Sequence, residues 1–135
     1  MVDQANSGSK LRSLIVDSTD SDTEESVFRA LEGRVAFEKG SGRLLVRRGL
    51  FELDWKRRLL VLLLARRAMV RLGIPGALDE VGAAALAAES QVQLKTCREY
   101  LSRFKATGLI ERKGDGYTLP EWNTLRAAEE LLKKE

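Results

Sequence analysis

The sequence predicts a mainly helical domain with a small β component, and three stretches carry that prediction. "LDWKRRLLVLLLARRAMVRLG" opens on Asp54, a natural helix cap, holds strong helix formers throughout, and closes on Gly73 with Pro75 just beyond. "QVQLKTCREYLSRFKATG" places Cys97, Leu101 and Phe104 on one helical face, with Leu94 at its edge, and stops at Gly108. Two pairs of short β-prone runs are joined by Gly-Ser-Gly and by Gly-Asp-Gly, both tight-turn signals. The chain has 135 residues, enough for one domain with one core, and its 6% aromatic content makes that core mainly Leu, Val and Ala.

Residues 1–26 read as an acidic disordered tail centred on "VDSTDSDTEES", too poor in apolar surface to offset the entropy of ordering. Solubilisation is its simplest role. The apolar "LIV" of residues 14–16 also offers a strand to add to a protein partner, and the acids after it can mimic nucleic acid or repel a wrong ligand. Residues 27–53 form a β-hairpin extension, with "SVFRALE" as a helical turn and strands over 34–38 and 43–46. Lys39, Arg43, Arg47 and Arg48 sit beside it, either as phosphate contacts or as charges that blunt an exposed edge. In the helix from Trp55, residues 59–65 are apolar on every side, so the helix must be covered on more than one face, by downstream helices and by the hairpin or a second subunit. Lys56, Arg67 and Arg71 fall at helical spacing as a basic strip. "VGAAALAAES" is a small alanine-rich helix able to pack closely. Residues 120–135, "PEWNTLRAAEELLKKE", form a C-terminal helix with Glu121 early and Lys133 and Lys134 late, the polarity its dipole favours. Trp122, Leu125, Ala128 and Leu132 line one side of it, which either packs on the domain or makes a homodimer.

The net charge of +3 hides a division. Residues 1–32 hold three Lys/Arg against seven Asp/Glu, whereas residues 43–113 hold fifteen against seven. A basic body points to a polyanionic partner. The absence of histidine removes Ser-His-Asp and Cys-His catalysis, and with Cys97 as the single cysteine no zinc site can be assembled. "ELDWK" loosely resembles a metal-dependent nuclease centre, but Asp54 has a simpler task as a cap, and the chain reads as a non-enzyme without a cofactor. One cysteine fits a reducing, cytoplasmic setting, and Cys97 reads as a small buried apolar residue. The first ten residues are polar, and "LLVLLLA" is far shorter than the roughly 20 residues a bilayer needs, so no membrane association is expected.

The span "LAAESQVQLKTCREYLSRFKATGLIERKGDGYTL" resembles the winged helix-turn-helix pattern. Leu86 and Ala87 match its short helix, Val92 its apolar turn residue, Leu101 a core position, and Gly108-Leu109-Ile110 the entry into the wing. The usual turn glycine is Ser90 or Gln91 here, and Cys97 replaces the common β-branched residue. The resemblance implies a three-helix core with a β-hairpin wing over residues 54–119, extended by the N-terminal hairpin and the C-terminal helix. It also implies binding of double-stranded DNA, as in a transcriptional regulator, with a recognition helix (93–106) in the major groove and a basic wing (111–117) on the backbone or minor groove.

The residue types suit that task. Lys95, Arg98, Arg103 and Lys105 can neutralise phosphates or read guanine, Thr96 and Ser102 can hydrogen-bond, Gln93 can reach an adenine edge, and Arg112 and Lys113 serve the wing. Glu99 faces the same way, to read cytosine or to hold Arg103 one turn on. A winged helix can equally be a protein-interaction module in a replication or transcription assembly.

Overall fold

The computed structural model describes residues 21–133. Five helices run in the order α1 (Ser21–Leu31), α2 (Trp55–Arg71), α3 (Ala83–Ser90), α4 (Leu94–Ala106) and α5 (Thr124–Leu132). Between α1 and α2 lies an antiparallel hairpin, β1 (Val35–Phe37) with β2 (Leu44–Val46), followed by a 3-10 turn over Arg48–Glu52. A second hairpin, β3 (Glu111–Lys113) with β4 (Gly116–Thr118), follows α4, and a 3-10 turn over Glu121–Asn123 leads into α5. The description is thus mainly helical with two small two-stranded sheets.

Helix α2 is the axis of the core. Asp54 caps it as expected, its Oδ1 accepting the Arg57 backbone N–H at 2.8 Å. Residues 59–65 are all buried. Burying a large apolar side chain stabilises by roughly 2 kcal/mol before conformational entropy is subtracted, which makes this block the main source of stability. Its cover comes from one chain: α1, α3, α4, α5, β1 and the 3-10 turn all pack on it.

Two expectations are corrected here. The start of α1 lies inside the stretch read as a tail: residues 21–26 are helical, and "SVFRALE" is the second half of a three-turn helix rather than one turn. Residues 1–20 of that tail lie outside the described residues. The side of α5 that packs is also different. Thr124, Ala127, Ala128 and Leu131 are buried against α1 and α2, whereas Trp122 is 74% exposed and Leu125 and Leu132 are only partly covered. Trp122 belongs to the 3-10 turn, which shifts the phase of the helix that follows.

The second hairpin is joined to the loop before α3 by backbone hydrogen bonds. Val81, in the loop before α3, exchanges both backbone hydrogen bonds with Tyr117 of β4, at 2.9 and 2.8 Å. That approach requires glycine next door: a Cβ on Gly116 would lie 2.7 Å from the Val81 carbonyl oxygen. Asn123 secures the other side, its buried Nδ2 donating to the carbonyls of Gly108 and Leu109 at 2.9 Å each. Among the described residues no helix is long and apolar enough to cross a membrane.

Candidate nucleic-acid interface

Helix α4 buries Cys97, Leu101 and Phe104, the spacing read from the sequence, and this fixes which residues face out. Lys95, Arg98, Glu99, Ser102, Arg103 and Lys105 are exposed, and Thr96 is half-buried. Gln93 is the exposed N-cap residue, with no side-chain bond to the helix. Lys95, Arg98, Glu99 and Ser102 border one shallow depression together with Leu94. The helix enters from a tight turn: Gln91 sits at φ 59° and ψ 33°, the left-handed region, where the family pattern has glycine. It is the one non-glycine residue with positive φ among those described. Ser90 supports the turn from within, buried, its Oγ donating to Leu86 O at 2.6 Å.

Arg103 stands apart from that depression. It lies over the Tyr100 ring, 5.5 Å from the centroid, instead of pairing with Glu99. With Lys56 and Arg126 it rims a cavity of about 220 Å3 between α2, α4 and α5, which also holds Glu130. The Glu130 carboxyl is held below its usual range, first by its hydrogen bond from Lys133, with Lys56 and Arg126 adding attraction. Arg126 was not among the sequence candidates, because only tertiary packing brings α5 beside α4.

The candidate residues of the β3–β4 hairpin are held by different partners. Arg112 lies over the ring of Tyr117, 4.8 Å from its centroid and directly across the strand pair. Lys113 donates to Asp79 Oδ1 at 2.6 Å, and the Arg67 guanidinium donates to Asp79 Oδ2 at 2.9 Å. The Lys113 hydrogen bond, followed by that from Arg67, holds the Asp79 carboxyl below its ordinary range against the opposing effect of burial. Asp79 therefore ties the β3–β4 hairpin to α2. The register across Gly114-Asp115-Gly116 pairs Arg112 with Tyr117, so Tyr117 was legible from the turn. Asp79 lay unmarked in the loop "GIPGALDE".

Several other cations have structural duties. Arg58 donates to the carbonyls of Leu53, Ser90 and Phe51 at 3.0 to 3.2 Å. Arg66 pairs with Glu89 at 2.6 Å and Arg71 with Glu121 at 3.2 Å. Arg67, its side chain 11% exposed, also donates to Leu119 O at 2.8 Å and Thr118 Oγ1 at 3.2 Å. The expected basic strip of Lys56, Arg67 and Arg71 is therefore corrected: its two arginines are internal ties, and only Lys56 is exposed. Lys95, Arg98 and Lys105 have no ion pair among the described residues.

No family model, curated protein or solved structure matches this chain.

Among the described residues no three acidic or thiol side chains gather as metal ligands would. The Cys97 thiol is fully buried and its pKa is pushed up to about 11 by desolvation, with Arg98 opposing only in part.

Proposed function

We propose that the chain binds double-stranded DNA as a winged helix, with α4 in the major groove and the β3–β4 hairpin on the backbone, and acts as a transcriptional regulator by positioning and occlusion. The observation that carries this reading is the division of the cations. Arg58, Arg66, Arg67 and Arg71 are bound within the fold, while Lys95, Arg98 and Lys105, exposed on the outward side of α4, have no ion pair among the described residues. A cation without an intramolecular ion pair can contact a phosphate without first breaking one. The order α2, Val81, α3, α4, β3, β4, with Val81 bridged to β4, supports the family resemblance.

The test is fluorescence anisotropy of a labelled duplex across a salt series, with single-stranded DNA as control. If Lys95, Arg98, Arg103, Lys105 and Arg112 each neutralise a phosphate, log K against log salt has a slope of about −4.5, at roughly −0.9 per phosphate. Lys95→Ala and Arg103→Ala weaken binding without unfolding the domain. Wild-type affinity in both variants would remove α4 from the interface.

A second reading, a protein-interaction module in a replication or transcription assembly, draws on the exposed apolar side chains of the α5 region, Trp122, Leu125 and Leu132. Absence of duplex binding at low salt would favour it. A homodimer built through α5 would use that same side, because the other side of the helix is covered by α1 and α2. Cytoplasmic location belongs to the same proposal.

A further inference from the structure

Far from α4 in the chain, α1, β1 and the C-terminal end of α2 enclose an apolar groove of about 670 Å3. Phe28, Leu31, Val35, Phe37, Val70 and Leu72 line it, and Phe28 and Leu72 are 58% and 66% exposed. Two large apolar side chains left open beside a deep groove indicate a surface meant to be covered.

The groove also borders a strand edge that is unpaired among the described residues. Arg47 N–H donates to Arg34 O at 2.8 Å and Glu38 N–H to Arg43 O at 2.9 Å, which makes 34/47 and 38/43 hydrogen-bonded pairs. The register places Ala36 opposite Leu45 in the same phase. Alternation then turns the N–H and C=O groups of Val35 and Phe37 away from β2. Because Ala36 lines the groove together with Val35 and Phe37, it is the edge of β1 that opens onto it. The acids at the rim are Glu24, Glu32 and Glu121, and Glu121 is already paired with Arg71.

The occupant must be extended, apolar and basic. We propose that it is the chain's own residues 10–16, "KLRSLIV", added as a third strand along the free edge of β1. Leu11, Leu14, Ile15 and Val16 supply apolar surface, and Lys10 and Arg12 supply charges opposite to Glu24 and Glu32. These two cations are the only ones before Arg29. Four residues separate Val16 from Ser21, where α1 begins, and a link of that length reaches roughly 17 Å, while Glu24 lies one turn into α1. A tether so short gives a local concentration on the order of millimolar, so the chain's own segment outcompetes a free peptide of equal affinity. Asp17 and Asp20 of the link then fall before the N-terminus of α1, where its dipole favours negative charge.

The test is amide hydrogen exchange on the full chain, read at Val35 and Phe37, against the double variant Leu14→Asp/Ile15→Asp. Both substitutions lie outside the described fold, and the amides of α2 serve as an internal control for folding. The expected result is exchange at Val35 and Phe37 at least about tenfold slower in the wild type than in the variant, independent of protein concentration. Equal exchange in the two proteins overturns the proposal. So does protection that grows with concentration, which would assign the edge to a second copy of the chain. Neither outcome bears on DNA binding by α4.

Discussion

Asp79 joins three elements, and Asp79→Asn tests how much that junction is worth. The substitution keeps the shape of the side chain and one acceptor oxygen but removes the charge that faces Lys113 at 2.6 Å and Arg67 at 2.9 Å. The Lys113 side chain is 52% exposed, so its share is that of a surface pair, at most about 1 kcal/mol. Arg67 is largely buried but is not orphaned, since it keeps Leu119 O and Thr118 Oγ1 and lies 3.8 Å from Glu121. Weakening one of its charge-assisted bonds costs about 1 kcal/mol. The sum, about 2 kcal/mol, lowers Tm by about 8 °C for a domain of this size. The pH dependence has a definite sign. A carboxyl whose folded pKa lies below its unfolded value stabilises fully above the ordinary carboxylate range, and this contribution is lost as pH falls through the folded value. The gap between wild type and Asp79→Asn should therefore be full at neutral pH and shrink as pH drops below about 4. Thermal unfolding followed by circular dichroism at several pH values measures both. An unchanged Tm at neutral pH, or a gap independent of pH, would refute this account of the junction.

The same substitution releases Lys113, so in the DNA titration it steepens the salt slope by about 0.9 while the protein becomes less stable. Gln91→Gly removes a left-handed strain of about 1 kcal/mol and returns part of it as chain entropy, so a net gain of up to about 0.5 kcal/mol is expected in urea unfolding. A loss of stability would mean that the Gln91 side chain holds the turn. At pH 8 the buried Cys97 thiol, with its pKa near 11 against an ordinary 9.0, should react with a disulfide reagent at least about a hundredfold slower than in the urea-unfolded chain. Equal rates would show that α4 opens freely.

What was legible in the sequence was local. Asp54, the unbroken apolar block and Gly73 mark α2, and the observed helix runs from Trp55 to Arg71. The apolar spacing of α4 sorts its buried and exposed residues, and each hairpin lies within a residue or so of its turn signal. The misreadings share one cause, long-range packing. Helix α1 begins among acids that read as a solvated tail. Those same charges suit a helix N-terminus, and Val27, Ala30 and Leu31 gain burial only where α2 and α5 pack against them. Along α5 two stripes compete, one large and one small. The small one wins because Ala127 and Ala128 let α1 and α2 come close, and this leaves Trp122 outside.

Charge is where sequence and structure diverge most usefully. A count over residues 43–113 gives every arginine equal weight, yet the fold divides them by what lies within reach. Arg67 and Arg71 meet Asp79, Thr118, Leu119 and Glu121, all distant in sequence, and become ties that no ligand can recruit without cost. Lys95, Arg98 and Lys105 sit on a helix whose neighbours in space lie on its other side, so no acid from elsewhere in the described fold reaches them. Of the acids in the basic segment, Asp79 and Glu89 are paired with Arg67 and Arg66 inside the fold. Internal pairing thus removes Arg66, Arg67 and Arg71 together with their acids and leaves Lys95, Arg98 and Lys105 exposed on the outward side of α4, as it leaves Arg43, Arg47 and Arg48 exposed beside β2. A surface charged in that way is a property of the fold, and the salt-series titration against duplex is the measurement that tests what it binds.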